Sequence, residues 1–106
     1  MIKHVVCFKL RDASDENCKK AADVLLSMKD NISYIKEIEV GTDFLHSPRS
    51  FDVYLSVVLE NEEMLDVYQN DAYHCDVVKA HMHEVTEKSV SLDFFIRNTQ
   101  NLIHKK

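Results

Sequence analysis

The 106-residue chain is long enough for one domain and too short for two. Its net charge of −5, with both signs interspersed and no basic stripe before the last two lysines, argues against a nucleic-acid binder. No apolar run approaches the ~20 residues of a spanning helix, and Met1-Ile2-Lys3-His4 does not open a signal peptide, so a cytoplasmic protein is expected.

One glycine, Gly41, and one proline, Pro48, leave few places for the chain to break, which predicts nearly continuous secondary structure. Cys7, Cys18 and Cys75 are an odd count without paired spacing, and each sits among apolar neighbours. They read as buried free thiols rather than a disulfide or zinc framework.

Ile2 to Leu10 alternates, with Ile2, His4, Val6, Phe8 and Leu10 on one face and Lys3, Val5, Cys7 and Lys9 on the other, the period of a strand. Ser14 followed by Asp15 and Glu16 is a helix start, and the three-and-four spacing of Cys18, Ala21, Ala22, Leu25 and Met28 carries a helix to about residue 29. Tyr34 to Phe44 reads as a second strand, and His46 to Ser50 as a loop. Phe51 to Glu60 is a third strand, with Val53, Leu55, Val57 and Leu59 on one face. Asn61-Glu62-Glu63 caps a short helix carrying Met64, Leu65 and Tyr68. Asn70-Asp71 interrupts it, and a second helical piece runs from about Ala72 to Met82. Val85 to Ile96 is a fourth strand, with Val90, Leu92, Phe94 and Ile96 opposite Ser89, Ser91, Asp93 and Phe95. Residues 98–106 read as a polar tail after a domain spanning 1–97.

Strand, helix, strand, strand, helix, strand with right-handed crossovers is the ferredoxin-like βαββαβ arrangement, an α+β fold with a four-stranded antiparallel sheet and helices on one face. The more apolar face of each strand, Leu92 of the fourth included, is assigned to the helix side. The other face mixes Val5, Cys7, Tyr54, Val58 and Phe95 with Ser56, Ser91 and Asp93. That mixture predicts a homodimer in which a second copy of the sheet supplies the cover, as a dimeric α/β barrel.

The opening Ile2-Lys3-His4-Val5-Val6-Cys7-Phe8-Lys9-Leu10 resembles the first strand of the stress-responsive A/B-barrel (Dabb) family. Gly41 after the second strand, Leu65-x-x-Tyr68, His74 six residues beyond that tyrosine, and Asp93-Phe94 in the last strand match it too. The resemblance covers residues 2 to 96 and implies a ferredoxin-like monomer that dimerises. One stretch departs: where the family often shows His-Pro-x-His, this chain has Asp71-Ala72-Tyr73-His74, keeping the last histidine and placing a carboxylate at the first. Asp71 can still cap the helix that follows.

Plant polyketide cyclases are similar to this family, and the resemblance implies a Tyr/His acid/base pair at Tyr68 and His74. On one unbroken helix these would stand about 120° apart, and the break at Asn70-Asp71 re-phases the second piece so that both can face one pocket. An imidazole near pKa ~6.5 takes a proton at neutral pH, and a tyrosine hydroxyl can hold a developing enolate oxygen. The competing interpretation is purely structural, with Tyr68 a core tyrosine at packing distance from Met64 and Leu65 and His74 a helix-start residue. His4, on the apolar face of the first strand, is either a satisfied core histidine or, as the cyclases imply, part of the same pocket. Val6, Val57 and Leu92 are expected to line it.

His81-x-His83 has the wrong spacing for a helical metal pair, and no cofactor motif is visible, so neither metal nor cofactor is expected. Three classes of function stay open. The chain is a cyclase- or lyase-like enzyme acting on a small carbonyl compound, a non-catalytic dimeric binding or stress-related protein, or a cofactor-independent oxygenase-like enzyme.

Overall fold

In the computed structural model, which describes residues 1–97, the alternating opening segment forms β1, Ile2–Leu10. Ser14 then caps α1, Asp15–Leu26, its hydroxyl oxygen accepting the Asn17 N–H at 3.2 Å with Asp15 and Glu16 in the positive first turn. The helix buries Cys18, Ala21 and Leu25. It breaks at Ser27, and a short α2, Met28–Asn31, carries Met28 into the core. β2, Glu37–Thr42, and β3, Val53–Leu59, follow; β2 is shorter at both ends than the alternation predicts.

Asn61 caps α3, Glu62–Gln69, by accepting the Met64 N–H at 3.0 Å. The interruption falls at Asn70-Asp71, as the sequence predicts. Asp71 Oδ1 accepts the His74 N–H at 3.1 Å, so this carboxylate caps the next helical piece. After Ala72 and Tyr73 that piece widens into a π-helical turn, His74–Lys79, which runs into α4, Ala80–Val85, and then directly into β4, Thr86–Phe95. None of the described helices is long and apolar enough to cross a membrane.

The sheet is four-stranded and antiparallel, in the order β2-β3-β1-β4, with the helices on one face, the ferredoxin-like α+β arrangement expected. Leu25, Met28, Ile32, Val53, Val57, Leu59 and Tyr68 are its most deeply buried large side chains. Burial is uneven across the sheet. Central β3 is buried along nearly its whole length, whereas Glu87 to Phe95 of edge strand β4 are exposed.

The register corrects the face assigned to β4. His4 pairs with Asp93 and Val5 with Leu92, so Ser89, Ser91, Asp93 and Phe95 share the helix side with His4 and Val6. Val90, Leu92 and Phe94 lie on the far side with Val5, Cys7 and Tyr54. The helices pack over β2 and β3 and leave β4 open, so the apolar set of this edge strand has no cover on the helix side and faces outward instead. A period-2 pattern separates the two faces of a strand but not which one meets the helices, and a slip of one residue exchanges them. The tail expected at 98–106 lies outside the described residues.

Candidate functional site

Four side chains from four elements meet beside a cavity of about 260 Å³ between the sheet and the last helices. β1 contributes His4, α3 contributes Tyr68, the π-turn contributes His74, and β4 supplies Asp93 behind His4. The Tyr68 ring lies between the two imidazoles, its centroid 4.3 Å from that of His74 and 5.8 Å, edge-on, from that of His4. The cap at Asp71 is what turns His74 back toward Tyr68. Across the break at Asn70-Asp71 the two rings come side by side, and both residues line the cavity.

His4 is buried and its Nδ1–H donates to Asp93 Oδ1 at 2.5 Å, across the directly opposed positions of β1 and β4. A carboxylate on Nδ1 fixes the tautomer and leaves Nε2 as the acceptor nitrogen on the cavity side. His74 is also buried, and its Nδ1 has no hydrogen-bond partner among the described residues. Burial pushes the His74 pKa below its ordinary value, and the Lys79 ammonium adds to the shift, so the ring is neutral at pH 7. Tyr68 is wholly buried, which raises its hydroxyl pKa well above the usual tyrosine range, with Tyr34 and Asp71 adding to the rise. It stays a protonated donor. Its hydroxyl is given to Met28 Sδ at 3.5 Å, a weak acceptor that does not itself line the cavity.

Asp71, at the position where the resemblance implies a histidine, is occupied structurally. Its Oδ1 caps His74, while its Oδ2 accepts the Tyr34 hydroxyl at 3.2 Å, and it does not line the cavity. Burial, together with this carboxylate, pushes the Tyr34 pKa up to about 12.

Of the residues expected at the site, His4, Val6, Tyr68 and His74 line the cavity. Val57 is on the correct sheet face but is fully covered by the core and does not reach it. Leu92 is overturned as a lining residue. It sits on the opposite face, 63% exposed, because its partner across the ladder is Val5 and not His4. Asp93 was legible only as a family match. The signal that would have placed it is the polar stripe Ser89, Ser91, Asp93, which a strand edge can hold on its inner side only where that side lines a cavity. Among the described residues, no three His, Cys, Asp or Glu side chains gather around a common metal position.

A ferredoxin-like sheet with a half-open cavity between its first and last strands and its helices defines the class of protein. The chain belongs to the stress responsive A/B barrel domain (Dabb) family, which it matches over residues 2–96. No curated protein matches it in sequence. Among solved structures it is similar to a dimeric ferredoxin-like protein of unknown function from Bacteroides fragilis, at 24% identity over 90% of this chain and 95% of that one, with a TM-score of 0.73. A Dabb family protein from Mesorhizobium loti is similar at 21% identity over 92% and 97%, with a TM-score of 0.71. The hydroxynitrile lyase of Passiflora edulis is similar at 17% identity over 92% and 94%, with a TM-score of 0.75. Likeness at these identities shows the shared fold.

Proposed function

We propose that the chain is a homodimeric acid/base catalyst that moves a proton next to the carbonyl of a small compound, or on the corresponding hydroxynitrile. The observation that carries this reading is the His4–Asp93 pair. With Nδ1–H held by the Asp93 carboxylate at 2.5 Å, Nε2 is left free as a base beside the cavity, the way an acid orients a catalytic histidine. On a hydroxynitrile the O–H proton goes to His4 Nε2, the carbonyl forms, and the C–CN bond breaks with cyanide leaving on its electron pair. On a carbonyl compound the C–H proton goes to Nε2, and the bond's electron pair moves through carbon to the carbonyl oxygen. The resulting enolate oxygen is received by the Tyr68 hydroxyl and the His74 ring. A charged oxygen is a far stronger acceptor than the Met28 thioether, so it draws the Tyr68 proton away from sulfur. A neutral imidazole with an unsatisfied nitrogen beside a cavity is likewise a group that a ligand completes. That a hydroxynitrile lyase shares this fold supports the same class of chemistry.

The dimer rests on the outer sheet face. Leu92, Val90 and Phe94 are exposed there beside Val5 and Tyr54, an apolar surface that a second sheet would bury, and the similar Bacteroides fragilis protein is dimeric.

The test is exchange of α-protons in deuterated water, followed by proton NMR over a panel of small ketones and aldehydes, with cyanohydrin cleavage assayed in parallel. Exchange or cleavage that is lost in His4→Ala supports the reading. Saturable binding with no exchange on any member would leave a dimeric binding protein and overturn catalysis.

A further inference from the structure

We propose that the ligand carries a carboxylate, which the Lys79 ammonium receives at the mouth of the cavity together with the His83 ring and the Ser89 hydroxyl. This rests on the reading of the cavity as a site for a small carbonyl compound and narrows it to an oxo acid.

Three observations carry the inference. The first is the sign of the wall. The chain has 18 Asp and Glu against 13 Lys and Arg, yet none of these acids lines the cavity, which is faced instead by Lys79 and three histidines. The two carboxylates nearest its floor are already engaged, Asp93 with His4 Nδ1 and Asp71 with the His74 N–H and the Tyr34 hydroxyl. Asp93 stands four residues along β4 from Ser89, roughly 13 Å at the rise of an antiparallel strand.

The second is the gradient from floor to mouth. His4, Leu55, Tyr68 and His74 are buried, whereas Lys79, His83 and Ser89 are exposed. A ligand with an apolar or carbonyl-bearing body and one charged end fits that sequence of surfaces, with the charge left near water where its desolvation is small.

The third is the π-turn. On a regular α-helix, residues 74 and 79 would stand about 140° apart and could not face one cavity. The i→i+5 bonding of His74–Lys79 brings the fifth residue round to the turn above the first, so His74 and Lys79 line the same space. Lys79 and His83, four residues apart on the continuing helix, then share one side of it. Among the described residues Lys79 makes no ion pair, and its field already reaches His74, whose pKa it lowers. A widened turn that spends an uncompensated ammonium on a cavity mouth is accounted for by an anion there.

The experiment measures affinity, not turnover. A series of 2-oxo carboxylates, from pyruvate to phenylpyruvate, is titrated against the full-length protein by calorimetry, alongside the methyl ester of each. The expected result is that the acid binds at least about tenfold tighter than its ester, the scale of one charge-assisted hydrogen bond, and that the ratio shrinks as salt is raised. Lys79→Ala should bring the ratio near one, and Lys79→Arg should restore most of it. Equal affinity for acid and ester overturns the proposal, as does a ratio that survives Lys79→Ala or failure of every acid to bind in the millimolar range. Acid-selective, Lys79-dependent binding without proton exchange would uphold the carboxylate site while removing the catalytic reading. Exchange on neutral ketones with indifference to the carboxylate would do the reverse.

Discussion

His4 of β1 and Asp93 of β4 are directly opposed across an antiparallel ladder, and their side chains close to 2.5 Å on the side of the sheet that faces the helices. A residue from near the start of the chain thus has its tautomer set by one from near the end. Asp93→Ala frees Nδ1 and removes the hydrogen bond that orients the ring and sets its tautomer. Proton exchange should fall at least about tenfold, since a positioned general base is worth ~10² or more. Asp93 is partly exposed, so the melting temperature should move by only a few degrees. Exchange unchanged in this variant would show that His4 is not the base.

Protonation of His74 should weaken the fold in mild acid. Burial, then Lys79 and His4, lowers its pKa, against the smaller opposing pull of the Gln69 carbonyl and Asp71. The unfolded chain therefore takes up a proton at about pH 6.5, where the folded one does not yet. The stability that comes from keeping His74 neutral is complete above that value. It declines as pH falls through it toward the lower folded pKa. Thermal melts at about pH 7.5 and 5.5, at one protein concentration, should show a smaller acid loss for His74→Gln than for the parent protein. Equal losses in the two would mean that His74 titrates normally.

Tyr68→Phe separates packing from chemistry. The lost hydroxyl leaves behind only a thioether, so stability should change by less than about 1 kcal/mol. Turnover should drop about tenfold to a hundredfold, because one of two donors to the enolate oxygen has gone. Tyr68→Ala, by contrast, empties a fully buried ring site and should cost ~3–5 kcal/mol. A Tyr68→Phe variant with full turnover would confine the hydroxyl to the core.

Leu92→Asp should dissociate the proposed dimer while sparing the monomer fold. Leu92 is exposed in the monomer, so the charge is harmless until a second sheet covers it, when it costs several kcal/mol. Sedimentation should show the dimer constant weakened at least about a hundredfold. Val58 is a poorer probe of the same face, because it is already buried within one chain and a charge there would damage folding as well. If the parent chain sediments as a monomer at micromolar concentration, the barrel is overturned.

The amino-acid sequence by itself determined the order of elements, the caps at Ser14, Asn61 and Asp71, the break between Tyr68 and His74, and hence the ferredoxin-like fold. These depend on local chemistry and on periodicity, both of which are written in consecutive residues. Tertiary structure decided what depends on pairing across long separations. Only the β1–β4 register shows that Asp93, not Leu92, stands beside His4, since a period of two fixes two faces without saying which is inner. Only the packed π-turn shows that Lys79 joins His74 at the cavity, because a single i→i+5 turn leaves no mark in a pattern read at 3.6 residues per turn.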